Sequence, residues 1–288
     1  MHHTLASIAP SARRAFALLC LATIAAPARG AFEEFSLGGT PLPSSIQLTV
    51  DNFRASLGDP NNGNAGPSAS GRREINWDGG GALVSAGAGT PFTGFQNTRG
   101  ATITTPGTGF LQTPLTDPAL TSIQPNYATT FSVFSAVRIF TPLGSNITDV
   151  TFSLPGSGGA TPATVDGFGA VFSDVDLANT TTIELFDAGG SSLAPAFPVL
   201  QGTPTTAPTA SLSFLGLRAN AGERIARVRI VTGNQALGPV DSNGNPNDLV
   251  AMDDFIYGEP NLIPEPASLA LAALAIAGVA LVAARRRR

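Results

Sequence analysis

The stretch DSNGNPND places Asp241, Asn243, Asn245 and Asp248 at alternating and near-alternating positions. Side-chain oxygens spaced in this way can wrap a hard cation such as calcium at about 2.4 Å. The loop departs from an EF-hand, which needs Gly at its sixth position and a closing bidentate Glu. Here the sixth position is Pro246 and the closing Glu is missing. A poorer copy, GDPNNGNAG, carries Asp59, Asn61, Asn62 and Asn64. Asp, Asn, Gly and Pro also build turns without any ion, and a plain turn is the competing reading of both loops. Further carboxylates stand in SDVD (Asp174, Asp176) and AMDDF (Asp253, Asp254). Asp174 and Asp176 project from one face of a strand end. If that end meets the final strand, the four carboxylates can share a structural calcium ion; if not, they are solvated edge charges.

The chain has one Trp, Trp77, beside Asp78 and near Arg72, Arg73, Glu74 and Asn76. An exposed Trp stacks on a sugar ring while carboxylates, amides and guanidinium groups bond its hydroxyls, so Trp77 and Asp78 are candidate carbohydrate-binding residues. The alternative is a core Trp just before a Gly turn. Chemistry is bounded more sharply by what is missing. There is no Lys, the only His are His2 and His3, and the only Cys is Cys20. Beyond the N-terminal segment the chain therefore has no imidazole, thiol or amine side chain. That excludes Ser-His-Asp and Cys-His catalysis, lysine Schiff bases and His- or Cys-based zinc sites. Glycoside hydrolysis by two carboxylates stays open, but no pair of acidic residues stands in a recognisable acid and nucleophile motif. The expectation is a protein that is not an enzyme, with no cofactor unless calcium.

The segments that must position these residues lie between two unlike ends. Residues 1–31 have Arg13 and Arg14, an apolar run over 15–26, and the small-x-small order Ala26-Pro27-Ala28. These are the parts of a cleaved signal peptide. At the other end, Pro264-Glu265-Pro266 precedes an apolar run over 267–284 and then Arg285, Arg286, Arg287 and Arg288. About 18 apolar residues are just enough to cross the hydrocarbon core as one helix, and the four Arg hold their end in the cytoplasm. The body is then outside it. Between residues 31 and 260, nineteen Asp and Glu face nine Arg. Such a surface repels phosphate backbones, so nucleic acid is not an expected partner.

Pro-Glu-Pro, an apolar span and a basic tail, in this order, resemble the PEP-CTERM sorting signal of exported bacterial proteins. The resemblance implies recognition by an exosortase-type membrane protease near Pro264, Glu265 and Pro266. It also implies transit through the secretion machinery, a transient membrane stage through the C-terminal helix, and delivery to the cell surface or an extracellular matrix. Exopolysaccharide is the associated partner.

The body, 44–260, reads as one domain after a linker over 32–43. Gly 32 and Pro 23 punctuate short β-branched and apolar runs, and charged residues make up only 12% of the chain. Strands are expected at SSIQLTV, ATITT, TTFSVFS, AVRIFTP, ITDVTFSLP, GFGAVFSDVD, TTIELFDA, ASLSFLGLR, RIARVRIVT and LVAMDDFIYG. In RIARVRIVT, Ala226, Val228 and Ile230 share one face, opposite Arg227, Arg229 and Val231. No sustained helical periodicity is evident. Many short strands with turns between them predict an all-β fold, an antiparallel β-sandwich of jelly-roll-like type. From VDGFGAVFSDVD to AMDDF the order is similar to carbohydrate-binding-type jelly rolls that often precede such tails. The expected function is a non-enzymatic structural or adhesion role. A lectin-like module, calcium-stabilised or not, is the second reading, and a carboxylate-based glycoside hydrolase the third.

Overall fold

The computed structural model describes residues 32–79, 86–203, 210–238 and 247–263. The expected signal peptide, 1–31, and the expected membrane span, 267–284, lie outside them, and no helix among the described residues is long and apolar enough to cross a membrane.

The strands are β1 (Phe32–Gly39), β2 (Arg72–Ile75), β3 (Ala86–Ala88), β4 (Ala101–Thr104), β5 (Gly109–Pro114), β6 (Arg138–Leu143), β7 (Ile147–Phe152) and β8 (Ala163–Thr164). They continue as β9 (Gly167–Ser173), β10 (Thr182–Phe186), β11 (Phe197–Pro198), β12 (Leu212–Ala219), β13 (Arg227–Val231), β14 (Ala251–Gly258) and β15 (Asn261–Leu262). Eight form one sheet in the order β1-β12-β9-β14-β6-β5-β3, with β2 also paired to β14. Five form a second sheet, β11-β10-β13-β7-β4, and β15 pairs with β8 alone. Every strand pair is antiparallel. The result is sandwich-like, in keeping with the jelly-roll-like expectation.

Alternation decides what each sheet buries. From the five-stranded sheet, Val150, Phe152, Val228 and Ile230 enter the main core, where they meet Phe140, Phe168, Phe172, Phe255 and Tyr257 from the larger sheet. The two-face pattern expected for RIARVRIVT holds over β13, where Val228 and Ile230 are buried while Arg227 and Arg229 are not. It does not hold before β13, where Ile225 is buried and Ala226 is not. β9 and β14 are buried along their whole length. Their other face, with Val171 and Ile256, packs under helix α1 (Gln47–Leu57) through Val50, Phe53 and Leu57. Gly169 and Gly216 stand opposite each other on β9 and β12. A Cβ at Gly216 would come within 2.7 Å of the Phe53 ring, and one at Gly169 within 2.8 Å. The two glycines are a socket for Phe53.

Three expectations are corrected. Residues 44–50 are not a strand: η1 (Pro43–Ser45) leads into α1. Ile46, Val50, Phe53 and Leu57, all buried, follow helical spacing. That period emerges only when the window runs on to Leu57, and the β-branched residues at its start hide it. Residues 32–43 are not a linker, since β1 pairs with β12 over eight consecutive positions. TTFSVFS, 129–135, is not a strand: its first two residues end a short helix (Tyr127–Thr130) and the rest is irregular. Its backbone donors go to side chains rather than a ladder: Ser132 N–H to Ser173 Oγ at 2.7 Å, and Phe134 N–H to Asp253 Oδ2 at 2.6 Å.

Candidate functional site

Adjacent residues of a regular strand point to opposite faces. Asp253 and Asp254 nonetheless reach the same hydroxyl, because the β14–β9 register shifts between Met252 and Phe255 and such a bulge re-aims side chains. Ser135 Oγ lies 3.2 Å from Asp253 Oδ1, 2.7 Å from Asp254 Oδ1, 3.0 Å from Asp78 Oδ2 and 3.3 Å from the Asn76 carbonyl. One hydroxyl proton serves one acceptor at a time. Crowding of the Asp253 and Asp254 oxygens is eased because burial favours the protonated form of both carboxyls. Burial, then the charge of Asp254, pushes Asp253 well above the usual carboxylate range. Burial also raises Asp254, against the opposing pull of Ser135, Asp253 and Arg54. Asp78 Oδ1 is satisfied by the N–H groups of Val137 at 2.6 Å and Arg138 at 3.0 Å. The cluster thereby fastens the 132–138 segment to β14 and to the end of β2.

Beside it opens a polar pocket of about 310 Å³, lined by Arg54, Asn61, Glu74, Asn76, Arg99, Ser135 and Asp254. Its charges are largely compensated. Arg54, from α1, donates to Glu74 Oε2 from Nε (3.1 Å) and Nη2 (2.9 Å), to Asp254 from Nη2 (3.3 Å) and to Asp51 from Nη1 (3.1 Å). Arg99 Nε donates to the Glu74 carbonyl at 2.9 Å. Amides, a hydroxyl and neutralised ion pairs suit a neutral, hydroxyl-rich ligand better than a strongly charged one.

A second acidic group sits just beyond the Ser173 end of β9. Asp174 has a left-handed backbone (φ 70°) and is 4% exposed. Its Oδ1 is buried and has no hydrogen-bond partner among the described residues. Burial, reinforced by the charges of Asp176 and Asp248, pushes its pKa up to about 8. Asp248 is fully buried; its Oδ1 accepts the Asp176 N–H at 2.8 Å and its Oδ2 meets the Thr180 hydroxyl. It thus caps the turn that carries Asp176.

The expected sites are redistributed accordingly. Asp174 and Asp176 do not join Asp253 and Asp254, because the bulge turns the latter pair toward Ser135; their carboxylate neighbour is Asp248. Among the described residues, no three His, Cys, Asp or Glu side chains are grouped to hold a metal ion. Asp241, Asn243 and Asn245 lie outside the described residues, as do Pro264, Glu265, Pro266 and the four terminal Arg. In the loop with Asp59, Asn61, Asn62 and Asn64, Asp59 pairs with Arg72, the Asn64 carbonyl accepts from Arg73 at 2.9 Å and Asn62 Nδ2 donates to Glu259 at 3.0 Å. Trp77 is not a sugar platform. It is 1% exposed, stacks on Phe140 at 3.7 Å between centroids and donates from Nε1 to the Asp253 carbonyl at 2.8 Å. Asp78, its partner in that expectation, accepts instead from the Val137 and Arg138 N–H groups and the Ser135 hydroxyl. Two neighbours noted beside Trp77, Glu74 and Asn76, do line the pocket. Ser135, Arg54 and Arg99 carry no motif that would single them out, and Arg54 is hidden further because its helix reads as a strand.

A search of curated proteins and of solved structures finds no match to this chain. One family model matches, and only at the C-terminus: residues 262–288 match the PEP-CTERM protein-sorting motif. The tail therefore marks the chain as an exosortase-targeted protein of the cell surface or exterior, exported through a membrane-anchored intermediate.

Proposed function

We propose that this chain is an extracellular-matrix or surface protein with a non-enzymatic structural or adhesion role, associated with exopolysaccharide. In this reading the signal segment 1–31 is removed. The apolar run 269–284 spans the membrane until the protease acts near Glu265, and Arg285 to Arg288 hold its inner end. The sorting-motif match over 262–288 carries the reading. The absence of Lys, and of His and Cys beyond residue 20, supports the non-enzymatic part. To test it, the full chain and a Glu265→Ala variant are followed in an exosortase-containing host. The parent is expected in the extracellular polymer fraction, shortened at the C-terminus, and the variant uncut in the membrane. Equal delivery of both sinks the reading.

The polar pocket favours a second reading, binding of a saccharide through hydroxyl contacts rather than aromatic stacking. An Asn61→Ala/Asn76→Ala variant is then expected to lose retention on a glycan array while keeping the parent's melting temperature.

A further inference from the structure

The chain enters and leaves the body at the same end. Phe32 pairs with Ala219, Arg218 with Gly167, and Phe168 with Tyr257, so the start of β1 and the finish of β14 lie at one end of four adjacent strands. Three strand spacings of about 4.8 Å put these points roughly 14 Å apart. Beyond Gly258, β15 folds against β8 at the same end, with Asn261 opposite Thr164 and Leu262 opposite Ala163. The Ala219 N–H bonds the Asp166 carbonyl at 2.7 Å, which ties the entry point to the β8–β9 connection. The other end of these strands holds Gly39, Leu212, Ser173 and Ala251, and there Asp174, Asp176 and Asp248 collect.

The tether beyond this end is short. Only five residues, 264–268, separate Ile263 from Leu269, where the apolar run resumes. Even fully extended, six steps reach about 20 Å, and the polar layer of a bilayer takes about 6 Å of that. Leu262 and Ile263, at the mouth of the tether, are 62% and 37% exposed and continue into the apolar tail.

We propose that this pole, where the chain enters at Phe32 and exits at Leu262, is a membrane-facing surface. In the tail-anchored intermediate it rests at the lipid headgroups, and the Asp174–Asp176–Asp248 pole points outward. The inference depends on the tail being a span, as proposed above. It gives the protease its working space: the Pro-Glu-Pro motif is reached in the narrow gap between the β8–β15 pair and the membrane.

The chain's single Cys makes the test direct. In a Cys20→Ser background, Ala221→Cys on the entry pole and Ala178→Cys on the opposite pole, both at exposed positions, are each labelled with a fluorophore. The full chain is reconstituted in phosphatidylcholine–phosphatidylglycerol vesicles with nitroxide-labelled headgroups. Quenching is expected to be several-fold stronger at 221 than at 178. Equal or reversed quenching overturns the orientation. Failure of the chain to enter vesicles at all overturns instead the reading of the tail as a span. Inserting twenty Gly-Ser residues after Ile263 should abolish the difference between the labels; its persistence refutes the short tether as its cause.

Discussion

Arg73 and Glu259 form a buried two-pronged ion pair: Nε meets Oε2 at 2.9 Å and Nη2 meets Oε1 at 2.7 Å. Arg73 is fully buried and Glu259 is 4% exposed. The rest of the guanidinium donates to the carbonyls of Asn64 (2.9 Å), Thr98 (2.6 Å) and Gly66 (2.7 Å). Glu259 accepts in addition from Asn62 Nδ2 at 3.0 Å and the Ser68 N–H at 2.9 Å. A planar fork with five donors can serve all these acceptors at once, and an ammonium cannot. Removing one partner leaves a buried charge uncompensated, at a cost of about 3–5 kcal/mol. Glu259→Gln is expected to lose stability on this scale by denaturant unfolding, with little dependence on salt because the pair is shielded from it. Arg73→Lys keeps the charge but leaves acceptors without donors, and is expected to lose less. The position matters as well as the energy. Glu259 lies on the stretch between β14 and the tail, so the pair holds the point where a membrane anchor would pull.

Trp77 reports on the core rather than on a ligand. It packs edge-on against Phe95 at 5.6 Å and Phe255 at 5.0 Å, besides its stack on Phe140. Truncation to Ala is expected to cost about 3–5 kcal/mol. Trp77→Phe keeps most of the packing but leaves the Asp253 carbonyl without its indole donor, about 1–3 kcal/mol if that oxygen stays dry. Because the chain has a single Trp, its emission follows unfolding directly and should be at short wavelength in the folded parent. Trp77→Ala that melts like the parent but loses glycan binding would reverse this assignment.

Asp174 makes stability depend on pH. Its folded pKa of about 8 stands above the usual carboxylate value, with burial the main cause. The folded state then holds a proton that the unfolded chain releases near pH 4. The stabilisation from that proton is full below about pH 4 and is lost as pH rises through about 8. Asp174→Asn is neutral throughout, and Asn accepts the left-handed backbone at this position. The variant is expected to melt at about the parent's temperature at pH 4 and several degrees higher at pH 8.5, for a gain of about 1–3 kcal/mol. Parallel melting curves from pH 4 to 9 would show that Asp174 is solvated.

Much of the sandwich was readable because alternation records burial locally: the two faces of Arg227–Val231 and of Ile147–Phe152 are set by their own residues. α1 was not, because its signal is a spacing spread from Ile46 to Leu57, and its seat is made by Gly169 and Gly216, far away in sequence. β1 reads poorly for the opposite reason. FEEFSLGG is acidic and glycine-rich, and only its full pairing with β12 makes it a strand. The candidate site shows the same limit. The Asp253-Asp254 pair stood out as a motif, but its partner Ser135 is held by an irregular segment that no local pattern encodes. Trp77 was ambiguous because composition does not tell an exposed ring from a buried one.

The Ser135 hydroxyl acts as a spacer among three carboxylates, which makes its removal dependent on their charge. In Ser135→Ala the oxygens of Asp78, Asp253 and Asp254 face one another with no hydroxyl between them. At low pH the raised values of Asp253 and Asp254 keep both protonated, and each can donate where Ser135 did. As pH rises through those values the protons leave, and like charges in a buried site destabilise the fold. Ser135→Ala is therefore expected to cost up to about 1–3 kcal/mol once those protons have left and much less near pH 4. The companion Asp253→Asn removes one of the charges. Its amide oxygen can still accept the Phe134 N–H, and its amide nitrogen can donate to Asp254. In the Ser135→Ala background it should recover most of the loss on the alkaline side and little at pH 4, as read by chemical denaturation across that range. A double variant no more stable anywhere on the alkaline side than Ser135→Ala alone would mean that charge repulsion is not what the hydroxyl prevents.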